Sequence, residues 1–145
     1  MRRAGVLLAL AATALTADAA AQGNRWQQQV QQQLARAVVA FRAQRFARQE
    51  LSRQAALNNE ESETFLVTLQ AGVPYSFIGV CDVDCERLAL GVATATGNDI
   101  AVDQSSGALP VVAFTPTMTA SYRVTVRMAA CRMSPCWYGV AVLRK

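Results

Sequence analysis

From Glu63 to Leu143 the chain is written in short alternating runs, each stopped by a turn signal, and this pattern suits strands. Phe65, Val67 and Leu69 alternate with Thr64, Leu66 and Thr68, and the run stops at Ala71-Gly72-Val73-Pro74. Residues 75–81 form a second run. Residues 88–95 form a third, stopped by Thr96-Gly97-Asn98-Asp99. Residues 100–103 are short and turn at Gln104-Ser105-Ser106-Gly107, and residues 110–115 follow. In residues 121–128, Tyr122, Val124, Val126 and Met128 face one way while Arg123, Thr125 and Arg127 face the other. Residues 136–143 close the chain. About seven short strands at this spacing predict a mostly β fold, an antiparallel sandwich with one core between two faces.

The part before Glu63 reads differently. Over residues 24–44, Trp26, Val30, Leu34, Ala37, Val38 and Phe41 recur at spacings of three and four, which makes one apolar stripe on a helix. Asn24 suits the N-cap. The glutamines at 27–29 and 31–33 fill the other faces, and glutamine is a fair helix former. Such a stripe docks on its own domain or on a twin chain. With Arg25, Arg36 and Arg42 beside it, it also suits a helix lying in a membrane surface. Residues 45–60 read two ways: the helix continues to Leu57 and stops at Asn58-Asn59, or Leu51, Arg53, Ala55 and Leu57 alternate along a strand.

The first residues address the chain. Arg2 and Arg3 precede an apolar run over residues 4–15, and Ala17-Asp18-Ala19-Ala20-Ala21 offers small residues for cleavage after Ala19 or Ala21. The run is shorter than the roughly 20 apolar residues that cross a bilayer. Residues 1–21 therefore read as a signal peptide, residues 22–45 as the amphipathic helix and residues 46–145 as the β domain of a secreted or periplasmic protein. No cysteine follows the apolar run, so a lipid-anchored cysteine is not expected. Removing Arg2, Arg3 and Asp18 from 14 basic and 10 acidic residues leaves 12 and 9. The excess sits in residues 25–53. Nucleic acid suits a basic helix, but an exported chain does not meet it, so no nucleic-acid partner is expected.

Chemistry is bounded by what is missing. With 145 residues and no histidine, the chain has no His-based triad and no His-bearing zinc site. Its four cysteines fall in two close pairs, Cys81 with Cys85 and Cys131 with Cys136. An even count outside the cytosol reads as disulfides. Arg132-Met133-Ser134-Pro135 reads as a four-residue hairpin loop, whose flanking Cβ atoms lie about 4.5–5.5 Å apart, so Cys131–Cys136 needs little adjustment. Residues four apart on an extended strand are about 13 Å away, so Cys81–Cys85 requires a turn. The rival is a cross-link between the two loops. A four-cysteine zinc site departs from the usual Cys-x2-Cys spacing, and a catalytic thiolate lacks its usual base.

The β half resembles the bacterial pre-peptidase C-terminal domain. The likeness is carried by residues 65–72, by residues 75–85, by Gly97-Asn98-Asp99-Ile100-Ala101-Val102-Asp103, by Phe114-Thr115-Pro116 leading to residues 119–124, and by residues 131–142. It covers about residues 60–145. It implies a jelly-roll-like β-sandwich, with the N-terminal helix lying outside the likeness, and it favours the strand reading of residues 45–60. Domains of that family accompany exported peptidases, and some bind collagen or polysaccharide.

Two local features are candidate sites. Asp82, Asp84 and Glu86 stand at alternate positions and could present oxygens to calcium, which takes six to eight. Asp99 and Asp103 would join if their loop is close, and Arg87 would neutralise the cluster. Trp137 and Tyr138 are candidate ligand contacts, one pointing inward and one outward on a strand. No catalytic residue and no cofactor other than this candidate calcium is expected. The whole reads as an exported non-enzymatic binding or accessory module for a protein or polysaccharide outside the cytosol. The alternative is a peripheral membrane or assembly protein that uses the basic helix. The oligomeric state is not legible.

Overall fold

The computed structural model describes residues 15–145, and side-chain surroundings from residue 25 onward. Helix α1 (Leu15–Arg42) is followed by strands β1 (Arg48–Leu57), β2 (Ser62–Leu69), β3 (Tyr75–Cys81), β4 (Cys85–Thr94), β5 (Asp99–Asp103), β6 (Val111–Phe114), β7 (Ala120–Cys131) and β8 (Cys136–Arg144). The first sheet has the order β1-β8-β3-β6 and the second β2-β7-β4-β5. Every pairing is antiparallel. Of the connections between successive strands, only β4–β5 stays within one sheet, and the others cross between sheets. This is the strand order of a jelly roll.

Of the signal peptide expected at residues 1–21, residues 1–14 lie outside the described residues. The helix begins at Leu15 rather than residue 22, and it ends at Arg42, short of residue 45. Its end is a Schellman-type cap. Phe46 N–H donates to Phe41 C=O and Arg45 N–H to Arg42 C=O, with Arg45 at φ 72°, where glycine is usual. The chain then enters β1. Residues 48–57 are thus strand, with a bulge between Gln49 and Leu51. Leu51 and Ala55 pack on the core and Leu57 belongs to it. Arg53 sits at the inward position between them and is ion-paired with Glu63 of β2.

The core between the sheets takes Phe77, Tyr138, Val140 and Val142 from the first sheet. It takes Leu69, Leu88, Leu90, Val92, Val124, Val126 and Met128 from the second. The other face of the first sheet is also buried. Ile78, Val80, Ala141 and Leu143 meet Val30, Leu34 and Val38 of α1, with Ala37 and Phe41 packed alongside. Fully burying each such side chain stabilises the fold by about 1.5–3 kcal/mol. Gly139 of β8 makes the close approach feasible: a Cβ there would lie 2.9 Å from Val30 Cγ1 and 3.3 Å from Leu34 Cδ2. The apolar stripe is therefore occupied by the chain's own sheet. This corrects the expectation of a helix free to lie in a membrane surface. Among the described residues, no helix is long and apolar enough to cross a membrane.

Two disulfides close two corners. Cys81–Cys85 joins the end of β3 to the start of β4, and Cys131–Cys136 joins the end of β7 to the start of β8, with Cα atoms 5.9 and 6.0 Å apart. The second corner is not the expected hairpin, because β7 lies in the second sheet and β8 in the first. No ladder runs across it, so cross-strand spacing is not what brings these cysteines together. Cys85 stands opposite Cys131 in the β4–β7 register, so the two bonds lie side by side at one end of the sandwich.

Candidate functional site

The stapled end holds the expected carboxylate cluster, but its oxygens are already engaged. Asp82 is buried. Its Oδ1 accepts from the N–H groups of Asp84 (3.1 Å) and Cys85 (3.2 Å), and its Oδ2 accepts from the N–H of Trp137 (2.6 Å). Asx turns of this kind let a side chain replace a backbone turn, and this one fastens the β3–β4 corner to β8. Burial pushes the Asp82 carboxyl above its ordinary range, and the three N–H groups oppose that shift. Asp84 and Glu86 flank the Arg132 guanidinium at 3.8 and 3.7 Å. Arg132 Nη2 also donates to Val83 C=O at 2.7 Å. The neutralising arginine is thus Arg132 from the neighbouring loop, not Arg87.

Asp103 is anchored elsewhere. It accepts from the N–H groups of Val111 and Ser105, each at 2.8 Å, and these bonds hold its carboxyl below the usual range. Among the described residues, no group of three or more His, Cys, Asp or Glu side chains is arranged to hold a metal ion. The structure therefore does not assemble Asp82, Asp84 and Glu86 as a calcium ligand set. Two serve as a corner clamp with Arg132, and the third is a buried turn.

Neither aromatic candidate is a free platform. Tyr138 points into the core and is fully buried. Its hydroxyl donates to Glu63 Oε2, while Arg53 holds Glu63 Oε1. Burial pushes this phenol up, against the opposing pull of Arg53. The three groups close the side of the sandwich between edge strands β1 and β2, and an inward charge on an edge strand discourages pairing with another chain. Trp137 alternates to the opposite side, as expected. That side faces α1 rather than solvent, and Trp137 packs half-buried against the helix-facing cluster.

The open surface is the outer face of the second sheet. Along β2, the residues facing away from the core, Thr64, Leu66 and Thr68, are exposed, Leu66 at 61%. Arg123, Thr125 and Arg127 of β7 lie beside them in register, Thr125 opposite Thr64 and Arg127 opposite Ser62. On the other flank, the middle of β4 presents only small side chains: Ala89 lies opposite Arg127 and Gly91 opposite Thr125. A groove of about 560 Å³ runs along this low strand. Ala89 and Gly91 form its floor, Thr125, Arg127 and Ser62 one wall, and Val102 and Gln104 the other, with Glu60, Arg87 and Asp99 at its margins. A Cβ at Gly91 would meet only Val102 and the Ala101 carbonyl, at 3.6 Å or more, so the floor is low without being crowded. Among the described residues, the ion pairs use Arg48, Arg53, Arg132 and Arg144 and leave Arg87 and Arg127 without a carboxylate within 4 Å.

Sequence reasoning did not single out this groove. In the sequence the outward side of β7 is visible, but Arg87 stands beside the acidic cluster with nothing to tie it to β7. The signal was the run of outward Ala89, Gly91 and Ala93 beside outward Arg123, Thr125 and Arg127, which becomes visible only once β4 is known to pair with β7.

No protein-family model matches the chain, and no curated protein matches it. Among solved structures, the chain is similar to the crystal structure of Aeromonas hydrophila PliG, a periplasmic lysozyme inhibitor of g-type lysozyme. The two share 12% identity with a TM-score of 0.45, over 66% of this chain and 85% of that one. At that identity and score, the similarity says nothing about what this chain binds.

Proposed function

We propose that this chain is an exported, non-enzymatic binding module that recognises an envelope or extracellular protein or polymer on the outer face of its second sheet. One observation carries the reading. The helix covers the outer face of the first sheet, whereas the described residues leave the outer face of the second sheet bare, with a groove flanked by two guanidiniums that lack a carboxylate partner. Two disulfides support export, because such bonds persist in oxidising compartments. Kinship of residues 60–145 with the pre-peptidase C-terminal domain is part of this proposal and rests on the sequence likeness alone.

Gly91→Leu tests the face directly. The backbone there is ordinary strand and a Cβ fits, so the leucine fills the groove without unfolding the sheet. The expected result is that the protein binds at least one component of a panel of envelope glycans and exported proteins, and that the leucine variant loses it. Equal binding by both, or no binding by the parent protein, overturns the reading.

A further inference from the structure

Resting on that reading, we propose that the groove takes an acidic polysaccharide, with Arg87 and Arg127 gripping its carboxylates. Both guanidiniums line the groove and neither has a carboxylate partner among the described residues. A guanidinium presents donors in a fixed fork that matches a carboxylate, and such charge-assisted bonds are about twice as strong as neutral ones.

The lining also lacks what a protein partner would use, and hydrogen-bond donors then favour a saccharide over an acidic peptide. Protein interfaces concentrate their binding energy in buried aromatic, methionine and arginine anchors, and their cores are depleted in Ser, Ala and acidic residues. This groove has no aromatic and no methionine, its floor is Ala89 and Gly91, and Glu60 and Asp99 stand at its margins. Those two carboxylates can only accept hydrogen bonds. A sugar chain supplies what they lack, because its hydroxyls donate to Glu60 and Asp99 while its acid groups accept from the arginines. The Thr125 hydroxyl and the Gln104 amide can donate or accept with either kind of group. An acidic peptide offers the arginines the same carboxylates but gives Glu60 and Asp99 far fewer donors.

Titration calorimetry of the disulfide-bonded protein with polygalacturonate, dextran and poly-glutamate tests the assignment. Polygalacturonate is expected to bind, more weakly as salt is raised, and dextran and poly-glutamate at least tenfold more weakly. Arg87→Gln with Arg127→Gln is expected to weaken polygalacturonate roughly hundredfold, about tenfold for each charge-assisted contact removed. Arg36→Gln, on the solvent side of α1, is expected to leave it unchanged. Equal binding of poly-glutamate overturns the saccharide, equal binding of dextran overturns the acid group, and absence of polygalacturonate binding overturns both. If another ligand binds and Gly91→Leu abolishes that binding, the ligand class falls while the binding face stands. If polygalacturonate binds the leucine variant as well as the parent, the face falls too.

Discussion

The two sheets have four strands each and share one core, yet their strands are written in different alphabets. Every residue of β3 is buried, and β8 is buried from Cys136 to Leu143 apart from a half-covered Trp137. In β2 and β7, apolar residues alternate with Thr, Ser, Leu66 and Arg. A strand covered on both faces needs apolar residues at both parities, and a strand covered on one face needs them at one. The difference therefore counts covering layers: helix, first sheet, second sheet, then solvent. The fold is asymmetric because α1 occupies one of two otherwise equivalent faces.

Matched substitutions on the two outer faces are expected to behave very differently. The largest contrast is expected between Leu34→Ala and Leu66→Ala. The first removes a side chain that is 4% exposed between α1 and the first sheet and costs about 3 kcal/mol. The second trims a residue on the bare face and changes stability by about 0.5 kcal/mol or less. Urea unfolding monitored by Trp fluorescence measures both, and equal losses would remove the helix from the structural core. Next come the two glycines. Gly139→Val places a Cβ within 2.9 Å of Val30 and costs about 2 kcal/mol by forcing the helix outward. Gly91→Val meets only open contact and is neutral or gains a few tenths of a kcal/mol from strand propensity.

The smallest effect sharpens the picture at the rim of the second sheet. The carboxyl of Asp103 is held below 3.8 in the folded chain, so its contribution to stability is present above that pH and lost as pH falls through the lowered value. Asp82 has the opposite sign: burial penalises its charge, and the penalty is relieved as pH falls through its raised value. The melting temperatures of the parent and Asp103→Asn should therefore differ more at pH 6 than at pH 3. A gap that widens in acid would contradict the assignment.

The alternation in β2 and β7 and the stripe on α1 were plain in the sequence, because each is a local period that burial on one side imposes. What the stripe packs against was not, since Ile78, Val80, Ala141 and Leu143 come from strands far along the chain and only pairing brings them together. The same limit explains the site residues. Trp137 and Tyr138 were placed on opposite sides of a strand, but the covering helix decides that the outward side is no longer solvent. Asp82, Asp84 and Glu86 looked like ligands because their spacing was visible, whereas Arg132 on the β7–β8 loop and the Trp137 N–H at the start of β8, which engage them, lie far along the chain. Residues 131–136 read as a hairpin because a turn signal marks a reversal without saying which sheet the chain enters next.

The side-by-side cystines have a consequence for how the chain matures. Each native bond links partners only four or five positions apart, whereas both alternative pairings would link the β3–β4 corner to the β7–β8 corner. Closing a small loop costs less entropy than closing a long one, so oxidation of the reduced, unfolded chain is expected to yield the native pairings more often than either crossed one, which non-reducing peptide mapping would measure.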